Sequence, residues 1–200
     1  MLSKLIEIFL ISVLPISLIK FDLISKKFRL IILALIFVVV FFLVELHDIS
    51  FYDLGFRTNN FYPAIFVYLI AVMIAVLFLI FLSQITKTKK AEMWYKDPHF
   101  LFLFIPISFA QQFLFQGFIL YELQSIFPAV LAIVVSALIF GYLHTIYPRP
   151  VFSFILGTLA GLFFAMLYTL YPNLIISSIV HMILNFTAVY LGFFTFTDER

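Results

Sequence analysis

Unbroken apolar runs, most of them about as long as a bilayer crossing, follow one another along the chain with short polar breaks between them. About 20 consecutive apolar residues carry a helix across hydrocarbon, whereas a membrane strand needs only about 10 and alternates, so the pattern predicts helices and not a barrel. Seven spans follow: Leu5–Ile19, Leu30–Leu46, Phe61–Ile85, Pro98–Leu120, Ile126–His144, Val151–Tyr171 and Leu174–Phe196. The first follows Lys4 like a signal sequence, but no small-residue cleavage site comes after it. It reads as a retained anchor helix, kinked at Pro15. Pro63 falls in the first turn of the third span, where a missing N–H leaves no bond unmade. A turn-rich external loop, His47 to Asn60, joins the second span to the third. The fold class predicted is all-α, a polytopic transmembrane helical bundle of about seven spans forming a single membrane domain.

Composition agrees and excludes much. With 65% hydrophobic and 11% charged residues there is no room for a soluble domain of ordinary size, and nothing points to nucleic acid. The chain has no cysteine, which removes disulfides, thiolate metal sites and a cysteine nucleophile together. The placement of charge is more informative than the net value of +2. Across seven spans one side collects ten basic residues, Lys20, Lys26, Lys27, Arg29, Lys87, Lys89, Lys90, Lys96, Arg149 and Arg200, against Lys4 and Arg57 on the other. Basic loops stay in the cytoplasm, so the C-terminus is expected there and the N-terminus outside if the first span crosses. Trp94 and Tyr95 beside Lys96 read as an interfacial anchor or as ordinary loop aromatics. No matched pair of broken helices suggests an inverted-repeat transporter, and intramembrane charge is too scarce for one.

Polar side chains at bilayer depth are expensive to leave unpaired, so their spacing is informative. Gln112 and Gln116 lie four apart on one helical face, with Gln111 about 100° round from Gln112. Phe140 and His144 share a face at the same spacing on the fifth span. His181 and Asn185 do so on the seventh, with Ser177 one turn earlier on the stripe. Plainer readings stand beside these. Ser108-x-x-Gln111 fits a capping box after Pro106, and Gln112 and Gln116 fit interhelical glue. His144 fits an interfacial histidine, and His181 with Asn185 a polar packing pair. Gly157-x-x-x-Gly161 fits a close-packing face. His47 and His99 have no motif around them and read as incidental. The sequon at Asn185 is unreachable at membrane depth.

The order of these motifs resembles the CAAX-prenyl-protease and bacteriocin-processing family of intramembrane peptidases, CPBP or Abi. That family carries Glu-Glu-x-x-x-Arg, then Phe-x-x-x-His, then His-x-x-x-Asn or Asp on successive membrane helices. Here Phe140 and His144 match the second motif and His181 and Asn185 the third, while Gln111, Gln112 and Gln116 stand where the first has two acids and an arginine. The resemblance spans roughly Phe100 to Gly192. It implies a CPBP-like core of about four spans in residues 98–197, preceded by about three N-terminal membrane helices in residues 1–97. It also implies that Gln112 and His144 stand at the water site and that His181 and Asn185 face the developing oxyanion.

The chemistry of the residues resists that carry-over. Glutamine hydrogen-bonds a water but cannot take its proton, and general-base help is typically worth about 10²- to 10⁴-fold in rate. An amide is also a poor ligand for a divalent ion, so no cofactor is expected, zinc included. The nearest acid in sequence, Glu122, lies about 16 Å along the helix from Gln111, and Glu45 ends the second span. The expectation is a catalytically impaired homologue, a pseudoenzyme, whose partners are membrane lipid and a membrane-anchored or lipidated peptide. The alternative is an active intramembrane endopeptidase, CAAX-type or bacteriocin-processing, using His144 with a water held by Gln112. On the boundaries above Gln112 and Asn185 lie near mid-membrane and His144 near one surface. A single site therefore requires an offset or tilted fifth helix, or boundaries that shift.

Overall fold

In the computed structural model, residues 1–91, 98–147 and 149–194 are described; Trp94, Tyr95 and Lys96, the proposed anchor, lie outside them, as does Arg200. Each expected span is a helix: α1 is Leu2–Lys20, α2 Lys26–Leu46 and α3 Phe61–Thr86. α4 begins as Pro98–Gln112, widens into a π-helical stretch over Phe113–Ile119 and finishes as Leu120–Gln124. α5 is Ala129–Leu143 with a 3₁₀ turn His144–Ile146, α6 is Pro150–Leu170 and α7 is Leu174–Tyr190. Six of these are long and apolar enough to cross a membrane, and α7 is a shorter apolar helix.

Local chemistry explains where the boundaries differ from expectation. The π-helical stretch Phe9–Val13 precedes Pro15, giving its ring room against the Ile11 carbonyl, so α1 passes the proline as one element. α4 runs unbroken past Pro106, so Ser108 is not a helix start and the capping-box reading of Gln111 is wrong. α7 stops six residues before the expected Phe196. Gly192 takes the left-handed conformation at φ +78, while Gly192 N–H donates to the Val189 carbonyl at 2.9 Å and Phe193 N–H to Ala188 at 2.9 Å. This is the paired bonding of a glycine C-cap.

α4 is the hub, with 67% of its most apolar window buried, whereas the same measure is 11% for α2 and 17% for α3. The outward faces of α2 and α3, such as Leu35, Phe42, Ile74 and Leu77, are exposed hydrocarbon suited to lipid contact. α5 and α6 approach most closely. A Cβ on Gly141 would meet Thr158 Oγ1, and one on Gly161 would lie 2.8 Å from the Ala137 Cα.

Both ends of the bundle are tied by polar groups. The 47–60 loop folds inward: Tyr168 Oη donates to the Leu54 carbonyl at 2.5 Å, Leu174 N–H to Gly55 at 2.8 Å, and Asn173 Nδ2 to Arg57 at 2.9 Å. At the same end His47 is not incidental. Its Nδ1 lies 3.1 Å from Glu122 and its Nε2 3.4 Å from Glu7, while Lys4 Nζ reaches Glu122 at 2.6 Å. The opposite end gathers basic side chains, with Lys20 over the Tyr142 ring, Arg29 over Tyr147 and Arg149 donating to the Gly192 carbonyl. Glu122 is thus spoken for at the far end, and Glu45 is exposed.

Candidate functional site

The polar residues of α4, α5 and α7 meet near the basic end of the bundle. His144 terminates α5 and Asn185 lies five residues, about 8 Å of rise, before the end of α7. α4 starts about 20 Å before Gln111 and overhangs both. The offset thus lies in α4, and the early end of α7 brings Asn185 level with His144.

Gln112 is fully buried between two partners. Its Oε1 accepts from Ser177 Oγ at 2.5 Å, and its Nε2 donates to His181 Nδ1 at 2.8 Å. Asn185 Nδ2 donates to Ser108 Oγ at 3.1 Å and to Gln111 Oε1 at 3.4 Å. His144 Nδ1–H donates to the Phe140 carbonyl at 2.8 Å, leaving Nε2 as the working edge of the ring. Phe140 binds the histidines together, its ring centroid 4.9 Å from His144 and 5.7 Å from His181. Phe164 closes the other side of His181 at 4.8 Å.

Two cavities share this floor. The larger, about 330 Å³, is lined by His144, His181 and Asn185 and otherwise by apolar residues of α3, α6 and α7 together with Phe140 and Phe194. Exposed Ile74, Phe78 and Leu159 form its rim, so it opens sideways between α3 and α6. The smaller, about 20 Å³, is bounded by Gln111, His144, Asn185 and Tyr147, with Phe104 and Phe194 among its apolar walls. It has room for about one water, with several polar groups to hold it. Tyr147 lies just beyond α5; burial pushes its phenol pKa up, opposed by Arg29, so it stays a neutral hydroxyl.

The structure therefore brings Gln111, Gln112, His144, His181 and Asn185 together but pairs them differently from the carry-over. Gln112 faces His181 and Ser177, and it is Gln111 that borders the small void with His144. Gln116 stands apart. Its amide is buried without a hydrogen-bond partner among the described residues, and it lines neither cavity. Among the described residues no group of three or more His, Asp or Glu is placed to hold a metal ion.

Comparison with known families decides the relationship. Residues 94–187 match the model described as Type II CAAX prenyl endopeptidase Rce1-like. Over these residues, just under half of the chain, the protein is similar to the Rce1-like CPBP family. No curated protein and no solved structure matches it. The Rce1-like segment contains all seven motif positions, with Gln111, Gln112 and Gln116 in place of the charged first motif.

Several residues that shape the Rce1-like site carried little or no sequence signal. Ser108 looked like a cap and is instead a partner of Asn185. Gly157 looked like helix packing, yet a Cβ there would lie 2.8 Å from both Cγ and Nδ1 of His144. Gly157→Ala is accordingly expected to push the imidazole off the Phe140 carbonyl. A shift of the His144 ring signals by NMR, with the helical circular dichroism retained, is the measurement; an unmoved ring would show that the α6 backbone absorbs the methyl.

Proposed function

We propose that this Rce1-like membrane protein holds a membrane-anchored or lipidated peptide in the lateral cavity, with hydrolysis lost or severely weakened and without zinc. The basic end, and with it the site, faces the cytoplasm on this reading. The observation that carries it is the state of Gln112, whose amide is engaged at both ends, by Ser177 and by His181. At this position an acid would offer a proton acceptor, whereas the amide offers only fixed hydrogen bonds. Substrate binding and proton transfer are separable, so a pocket survives the loss of its base. The cavity volume of about 330 Å³ lies within the usual range for ligand sites, about 300–1,000 Å³.

One observation favours a second reading. His144, whose Nδ1 is held by the Phe140 carbonyl, borders a void sized for one water, beside Gln111 and Asn185. In an active endopeptidase His144 would take a proton from that water as its oxygen adds to the peptide carbonyl carbon, then return it to the departing amine as the C–N bond breaks. The test is cleavage of a panel of membrane-anchored peptides by the purified protein, by its His144→Ala variant and by Gln111→Glu/Gln112→Glu/Gln116→Arg. Cleavage by the unmodified protein that vanishes in His144→Ala would sink the impaired reading. Gain of cleavage by the triple variant alone supports it. Stoichiometric zinc in the unmodified preparation would overturn the metal-free part.

A further inference from the structure

A second opening lies on the α1 and α2 side of the bundle, and no residue lines both it and the lateral cavity. α2 meets α1 chiefly at the Phe9–Val13 stretch, and a crevice remains between the two helices from there to the basic end. Its walls are Ile16 and Ile19 of α1 and Ile32, Leu33 and Ile36 of α2, with buried Leu114 of α4 behind them. From Ile36 to Arg29 it follows α2 for about 10 Å of rise. The enclosed part is about 70 Å³, room for a short stretch of one hydrocarbon chain and not for a whole lipid. Two of its polar liners are already engaged, Ser12 with the Ile8 carbonyl and Gln111 with Asn185.

The other two, Arg29 and Tyr147, lie together at the basic end, the guanidinium 6.0 Å from the centre of the phenol ring. Lys20 directly follows Ile19, the last residue of α1 to line the crevice, and its ammonium lies over Tyr142. The turn from α1 to α2 carries Lys20, Lys26, Lys27 and Arg29 against the single acid Asp22, interleaved with exposed Phe21, Leu23 and Phe28. Cations alternating with bare apolar side chains next to a membrane helix suit the head-group layer of an anionic leaflet.

We propose that this crevice binds one anionic phospholipid, with its phosphodiester on Arg29 and Lys20 and the upper part of one acyl chain between α1 and α2. A guanidinium matches two phosphate oxygens at once, and the Tyr147 ring limits its swing. The isoleucine and leucine walls favour a lipid over a free phosphate, and the charges favour an anionic head group over a zwitterionic one. Nothing in this depends on what the lateral cavity holds.

Native mass spectrometry of the purified protein, titrated with phosphatidylglycerol and phosphatidylcholine of the same chains, tests it. One phosphatidylglycerol is expected to bind about fivefold or more tighter, since each basic side chain near an anionic lipid is worth about that factor. Lys20→Gln/Arg29→Gln is expected to erase the preference. Lys89→Gln/Lys90→Gln removes two charges from the same end, where Lys90 lies over Tyr190, and is expected to keep it. Equal binding of the two lipids, or equal loss in the two double variants, overturns the head-group site. Leu33→Trp fills the crevice and leaves every charge in place, so it is expected to weaken phosphatidylglycerol about fivefold or more. Unchanged binding by that variant, or displacement of the lipid by glycerol 3-phosphate at matched concentration, overturns the seat for the chain.

Discussion

Gln112→Leu is expected to destabilise the protein by about 1–3 kcal/mol, and Gln116→Leu to leave it unchanged or make it more stable. The substitutions are chemically identical and four residues apart on one helix, so helix propensity and hydrophobicity cancel between them. What differs is the company each amide keeps. Loss of Gln112 strips two buried partners, Ser177 Oγ and His181 Nδ1, of their bonds. A buried polar atom left unmatched costs about 1–3 kcal/mol in water-soluble proteins. Interhelical bonds inside membranes average nearer 0.6 kcal/mol, because the separated helices find other partners. Ser177 recovers part of that by turning to a carbonyl of its own helix, which leaves the loss of two buried bonds toward the lower part of the range given. Gln116 gives up no described bond, and leucine removes a buried amide from apolar surroundings. Thermal unfolding of the purified variants in one detergent measures both; equal loss at the two positions would mean that the glutamines are interchangeable glue.

The contrast between the two glutamines also marks how far sequence carries the argument. Spacing of four fixes a common helical face, and for that reason Phe140 with His144, and His181 with Asn185, were legible as pairs aimed at one place. The same rule assigned Gln112 and Gln116 to one face, but only the first meets a partner, because partnership depends on what the neighbouring helix offers at that height. Height is what the sequence leaves open. Hydropathy cannot see that α4 overhangs the basic end or that Gly192 stops α7 early, and those two offsets decide that Gln111, not Gln112, shares the void with His144. His47 makes the same point at the far end, since its partners are 40 and 75 residues away in sequence. The apolar wall from α3 was invisible for a different reason. Ile74, Ala75, Phe78 and Leu79 look the same whether they face lipid or a cavity.

The far-end cluster gives the other large effect. Glu122→Gln is expected to lower stability by about 1–3 kcal/mol and to loosen α1 from the bundle. Glu122 is 1% exposed and holds Lys4 at 2.6 Å and His47 at 3.1 Å, so one carboxylate joins α1, the end of α2 and the end of α4. Lys4 also donates to Ser125 Oγ at 3.0 Å, which fixes its ammonium beside the acid. Removing one member of a fully buried ion pair costs about 3–5 kcal/mol; here Lys4 is 34% exposed, and water screens part of that. The amide keeps the shape of the acid, so any loss reports charge and not packing. Lys4→Gln/Glu122→Gln is expected to recover part of the loss, since no cation is then left facing an amide at that depth. The two variants separate charge pairing from mere polarity. Thermal unfolding together with protease access to the N-terminal segment would show it, and a double variant no better than Glu122→Gln would mean that Glu122 acts on α1 through His47 and Glu7 instead of Lys4.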